Sequence, residues 1–149
     1  MKIGIYDVIN DPIPQLYKIK DINVNQNDFE YDEDIVKLIN KHLKMDKLDS
    51  EHMYALSLTY GLIPRGIVYI SMGNNSETIN NLRGLGIGLL LTGAEQFMVF
   101  HNHPGGSRKI SNADKKSTEK FDKLGDFLNI RFLKHIMITK NYYCECEED

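Results

Sequence analysis

The chain has 149 residues, 42% hydrophobic and 26% charged, with a formal charge of −3 and a pI near 5.9. That length makes one domain with a real core, and the acidic balance argues against a broad electrostatic grip on nucleic-acid phosphates, a local basic patch excepted. Two cysteines, Cys144 and Cys146, form no disulfide framework, and neither a signal peptide nor a bilayer-spanning run is visible, so a cytoplasmic protein is expected.

Residues 1–31 read as an N-terminal extension of uncertain structure. Pro12 and Pro14 punctuate it, and "QLYKIKDINV" suits a peripheral strand. From Asp32 the pattern sharpens. "DEDIVKLINKHLKM" places Ile35, Leu38, Ile39 and Leu43 on one helical stripe, with acidic residues in the first turn. "HMYALSLTY" and "RGIVYISMG", joined by "GLIP", predict an antiparallel strand pair. "SETINNLRGLGIGLLLTG" has Ile79, Leu82, Leu85 and Leu89 at helical intervals, and its three interior glycines either weaken that helix or mark close packing on a sheet.

"EQFMVF" reads as a short buried strand that runs into the segment "HNHPGGSRKISNAD". After it, "NADKKSTEKFDKLGDFLN" carries Phe121, Leu124 and Leu128 on one helix face, and "RFLKHIMIT" with "YYCEC" predicts a closing hairpin. An acidic end, "ECEED", is expected to fray, which makes Cys144 and Cys146 incidental strand residues. The sum is a mixed central sheet flanked by helices, in the α/β (α+β) range.

Two of the five histidines, His101 and His103, stand either side of Asn102. With the strand ending at His101, alternation sends residues i and i+2 to one side, so the two imidazoles converge while Asn102 points away. Pro104, Gly105 and Gly106 let the backbone turn toward Asp114 at the next helix start. Two imidazoles and a carboxylate suit Zn²⁺ with its fourth position open to water. The same "SNAD" also reads as a helix start, with Ser111 as cap and Asp114 three residues on. The two readings are compatible.

The segment resembles the signature of the JAB/MPN (JAMM) metalloprotease clan: H-x-H-P, six residues, then S-x-x-D. His101, His103, Pro104, Ser111 and Asp114 match it without a gap. The surroundings resemble the RadC-like JAB branch, in which the loop begins HNHPSG; here Gly105 replaces the serine. Ser71-Met72-Gly73 stands where that branch has "SRG", and "KHIMIT" stands for its "DHLIIG", with His135 kept and Lys134 in place of the aspartate. The resemblance covers about residues 32–149 and implies a single JAB/MPN-like domain with cytidine-deaminase-like layering.

It also implies a zinc-dependent hydrolase of peptide or isopeptide bonds. His101, His103 and Asp114 would hold the ion, Glu51 would be the general base and then the acid toward the leaving amine, and Ser111 would donate to the oxyanion. His52 and His135 are supporting residues or ordinary core and surface histidines. The protein or peptide substrate stays unidentified. Two other functions are weighed: a RadC-like DNA-associated nuclease or repair accessory, and a non-catalytic scaffold. Residues 1–31 are too short for the helix-hairpin-helix region of full-length RadC proteins, which leaves the DNA role little footing, and an intact ligand set counts against the scaffold.

Overall fold

The computed structural model describes residues 1–70 and 81–147. Its strands form one seven-stranded sheet in the order β2-β1-β4-β3-β5-β6-β7. They are β1 (Lys2–Asn10), β2 (Pro14–Asn23), β3 (Met53–Leu58), β4 (Pro64–Ile70), β5 (Gln96–Asn102), β6 (Arg131–Thr139) and β7 (Tyr142–Glu145). The pairs β1/β4 and β5/β6 are parallel and the others antiparallel, so the sheet is mixed.

Among the described residues three α-helices cover it: α1 (Asp32–Leu43), α2 (Leu82–Leu91) and α3 (Asn112–Leu128). On one face α1 buries Ile35, Val36, Leu38 and Ile39 against Leu56, Ile67, Met98, Phe100, Ile136 and Ile138. On the other, Leu85 and Leu89 of α2 and Phe121 of α3 pack with Met53, Ala55, Phe97 and Val99. The three-layer arrangement, with helices on both faces of a mixed sheet, is the one the residue pattern predicts.

Alternation decides which face each site residue reaches. Phe97 and Val99 lie on the α2/α3 face, so His101 does too; Met98 and Phe100 lie on the α1 face, and Asn102 follows them. Strand β5 runs through Asn102 rather than stopping at His101, because its pairing with β6 continues to Asn102↔Ile138. Asn102 serves as a clamp: its Oδ1 accepts the His52 N–H at 2.6 Å and its Nδ2 donates to the Ser50 carbonyl at 3.0 Å.

Other expectations are settled or overturned. The N-terminal region holds a full hairpin, and β1 joins the sheet through Ile5↔Ile67 and Tyr6↔Val68. "QLYKIKDINV" is indeed the edge strand β2. Near the C-terminus Cys146 does not fray: it is 1% exposed, and its N–H donates to His135 O at 2.7 Å. The glycines of α2 mark close packing, since a Cβ on Gly88 would meet Val68 Cγ1 at 2.7 Å. Helix α2 begins at Leu82; Ile79 and Ser71-Met72-Gly73 lie outside the described residues. Among the described residues no helix is long and apolar enough to cross a membrane.

Candidate metal centre

Strand β5 and helix α3 bring the site together. Ser111 is the N-cap of α3: its Oγ accepts the Asp114 N–H at 3.0 Å, and Asp114 Oδ2 accepts the Ser111 N–H at 3.1 Å. This capping box fixes the Asp114 side chain before any ligand is considered. Asp114 is also the first residue of the stripe Asp114, Thr118, Phe121, Gly125, which faces the sheet. Gly125 permits that approach, because a Cβ there would lie 2.6 Å from the Ile130 carbonyl.

The His103 backbone is pinned on both sides. Its N–H donates to Ile138 O at 2.9 Å, and its carbonyl accepts from Thr139 Oγ1 at 2.8 Å. Its ring Nδ1 lies 3.0 Å from Ser107 O. A carbonyl only accepts, so Nδ1 carries the proton and the Nε2 lone pair is turned inward.

There Nε2 of His103 lies 3.0 Å from Nε2 of His101 and 3.1 Å from Asp114 Oδ2, and His101 Nε2 lies 3.3 Å from Asp114 Oδ1. Two donor atoms on one tetrahedral zinc stand about 3.3 Å apart, close to all three spacings. The donor set therefore has the spacing that one tetrahedral ion requires.

Glu51 completes the group. It precedes β3 in phase with Met53 and Ala55, which face α3, and Met53 pairs with His101. One ligand atom each from Glu51, His101, His103 and Asp114 all lie within 4.8 Å of one another. Glu51, His103 and Asp114 line a cleft of about 660 Å³ together with Ser111, and His101 is buried behind it. Ser111 is exposed there.

Charges follow this layout. Burial raises the Glu51 carboxyl above its ordinary value, opposed by His101 and reinforced by Asp114. For Asp114 burial pushes upward, yet the imidazoles of His101 and His103 at its two oxygens prevail and hold it well below the usual carboxylate range. The hydrogen bond to Asp114 raises His103, against its burial.

A second group, His101, His135 and Cys146, also lies within 4.8 Å and is fully buried. Proximity alone makes it compatible with a metal. However, His101 Nδ1 and His135 Nε2 are 2.7 Å apart, a hydrogen-bond distance. Burial holds His135 well below the ordinary imidazole value, assisted by His101, and raises the Cys146 thiol. In the sequence alone His135 reads equally as a supporting residue or as an ordinary core histidine. The signal that places it is the parallel pairing Val99↔His135, which puts its ring diagonal to His101. His52 instead turns outward, its Nδ1 2.9 Å from Ser50 O, and Cys144 lies on β7.

A family model described as the RadC-like JAB domain matches residues 29–149. A UPF0758 protein of Finegoldia magna is 36% identical over 93 residues, covering 62% of this chain and 42% of that one. One from Clostridium acetobutylicum is 31% identical over 111 residues, 72% of this chain and 48% of its own. One from Listeria monocytogenes is 32% identical over 119 residues, 78% and 51% respectively. The chain thus spans about half the length of the curated relatives it matches.

Proposed function

The chain belongs to the RadC-like JAB domain family, and from that premise we propose that it is a zinc-dependent hydrolase cleaving a peptide or isopeptide bond. Residues 32–149 are its catalytic unit, and residues 1–31 extend the same sheet. The observation that carries the reading is the convergence of two imidazole nitrogens and a carboxylate at 3.0–3.3 Å, beside a further carboxylate at an open cleft.

His101, His103 and Asp114 would hold the zinc. Bound there, the ion would supply Lewis acidity and make a water more acidic. The remaining work falls to the chain. Glu51, with its carboxyl raised by burial, takes a proton from the attacking water and passes it to the leaving amine. It suits both steps because a raised carboxyl is a better base and still releases its proton. Ser111 Oγ uses its lone pair for the helix cap, and its O–H is left to donate to the developing oxyanion. The capping box holds Asp114 so that the ligand does not swing with substrate. Two unpaired thiols, Cys144 and Cys146, fit a reducing cytoplasm.

The test is Glu51→Gln, which keeps the shape of the side chain and cannot accept the proton. Zinc content and circular dichroism should match the wild type, while hydrolysis of peptide or isopeptide-linked substrates falls about 100- to 10,000-fold. A zinc-loaded, fully active Glu51→Gln protein would contradict the mechanism. Cleavage of nucleic acid in place of peptides would overturn the substrate class.

A further inference from the structure

Behind His101 lies a buried chain of hydrogen bonds whose direction is decided at its far end. Thr118 Oγ1 lies 3.0 Å from Asp114 O and 3.3 Å from Cys146 O. Carbonyl oxygens only accept, and with two of them facing Oγ1 the single hydroxyl proton of Thr118 is best placed toward them. The same Oγ1 is 2.8 Å from His135 Nδ1. With no second proton to give, the hydroxyl accepts there, and His135 carries its proton on Nδ1.

A neutral imidazole has one N–H. His135 Nε2 is therefore an acceptor, and the atom 2.7 Å from it, His101 Nδ1, must carry the donated proton. What remains on His101 is the Nε2 lone pair, on the side of His103 and Asp114. His101 and His135 are 1% exposed and Thr118 9%, so bulk water offers few competing partners.

We propose that Thr118 and His135 are positioning residues that hold His101 in the one tautomer able to ligate a metal through Nε2. The proposal deepens the metal-centre reading and rests on it. Neither residue lines the cleft, so neither touches substrate. The pair is itself well held. Phe121 packs edge-on against His135 with ring centroids 5.1 Å apart, and the Cys146 N–H fastens the His135 carbonyl at 2.7 Å. An imidazole in this place sets the tautomer without adding a charge to the interior, which a carboxylate would do. The Cys146 carbonyl makes the residue that follows β7 part of the same support.

The test uses the full chain with ¹⁵N-labelled histidine, as wild type, Thr118→Val and Thr118→Ser. Valine keeps the shape and loses the oxygen, and serine restores the oxygen. In the wild type, ring-nitrogen NMR should find His135 protonated at Nδ1 and bare at Nε2, with zinc and without it. Thr118→Val should lose that preference, and its zinc affinity, measured by competition with a chromophoric chelator, should fall about 10- to 100-fold. Thr118→Ser should recover both. Wild-type His135 protonated at Nε2, or at both nitrogens, overturns the proposal whether or not the valine variant folds. So does a Thr118→Val protein with wild-type affinity and an unchanged nitrogen signature. A wild type that binds no zinc, yet shows the Nδ1 proton on His135, would overturn the metal-centre reading while leaving the order of the hydrogen bonds intact.

Discussion

At the scale of single residues, the proposed centre sets a proton and a metal in competition for one set of lone pairs. Without an ion, His103 holds a proton more tightly than an ordinary imidazole, because Asp114 accepts its hydrogen bond. A raised folded value means that this proton stabilises the fold fully below pH 6.5, and that the contribution is lost as pH rises through the raised value. Asp114 has the opposite sign. Its depressed value stabilises the fold above its ordinary pKa of 3.8 and is lost as pH falls below that. Zinc needs the His103 nitrogen bare, so its affinity should climb over the rise above pH 6.5 that weakens the metal-free protein. Denaturant titrations across that range should show the chelated protein losing stability while the zinc-loaded protein holds. A chelated protein that gains stability on the same rise would contradict this account of His103.

At the scale of elements, helix α3 combines a structural start with a chemical one, and Ser111 is where the two can be separated. A glycine at an N-cap costs only a few tenths of a kcal/mol relative to serine, yet it has no hydroxyl. Ser111→Gly should therefore melt near the wild-type temperature and keep its zinc, while hydrolysis falls about 100-fold or more if the hydroxyl serves the oxyanion. Equal activity would leave Ser111 as a cap alone. Elements also show what could be read from the chain and what could not. Helices α1 and α3 were legible because their stripes, Ile35-Leu38-Ile39 and Phe121-Leu124-Leu128, are local. The proposed ligands can be read from the chain because His101, His103 and Asp114 fall within one short loop and turn. Strand β1 was not, since its partner Ile67 lies far along the chain. Cys146 was misread from its acidic neighbours, because its burial depends on pairing with His135. His135 gained meaning only from the β5/β6 pairing.

At the scale of the molecule, the proposed ligands join β5 to α3 across one loop, while both apolar clusters are built from residues outside that loop. The sheet and its covering helices therefore should form without the metal. An ion that binds the native state alone adds about 2.7 kcal/mol at a hundredfold excess over its dissociation constant. Chelation should lower the melting temperature by several degrees and leave the far-ultraviolet circular dichroism at room temperature unchanged; complete unfolding would mark the ion as structural. The central claim is the metal centre itself, and elemental analysis of the gently purified protein tests it most directly. The wild type should carry about one zinc per chain, as a three-ligand site with an open fourth position implies, and a folded His101→Ala/His103→Ala double variant should carry almost none. Zinc retained in full by the double variant, or absent from a wild type equilibrated with it, would contradict the account.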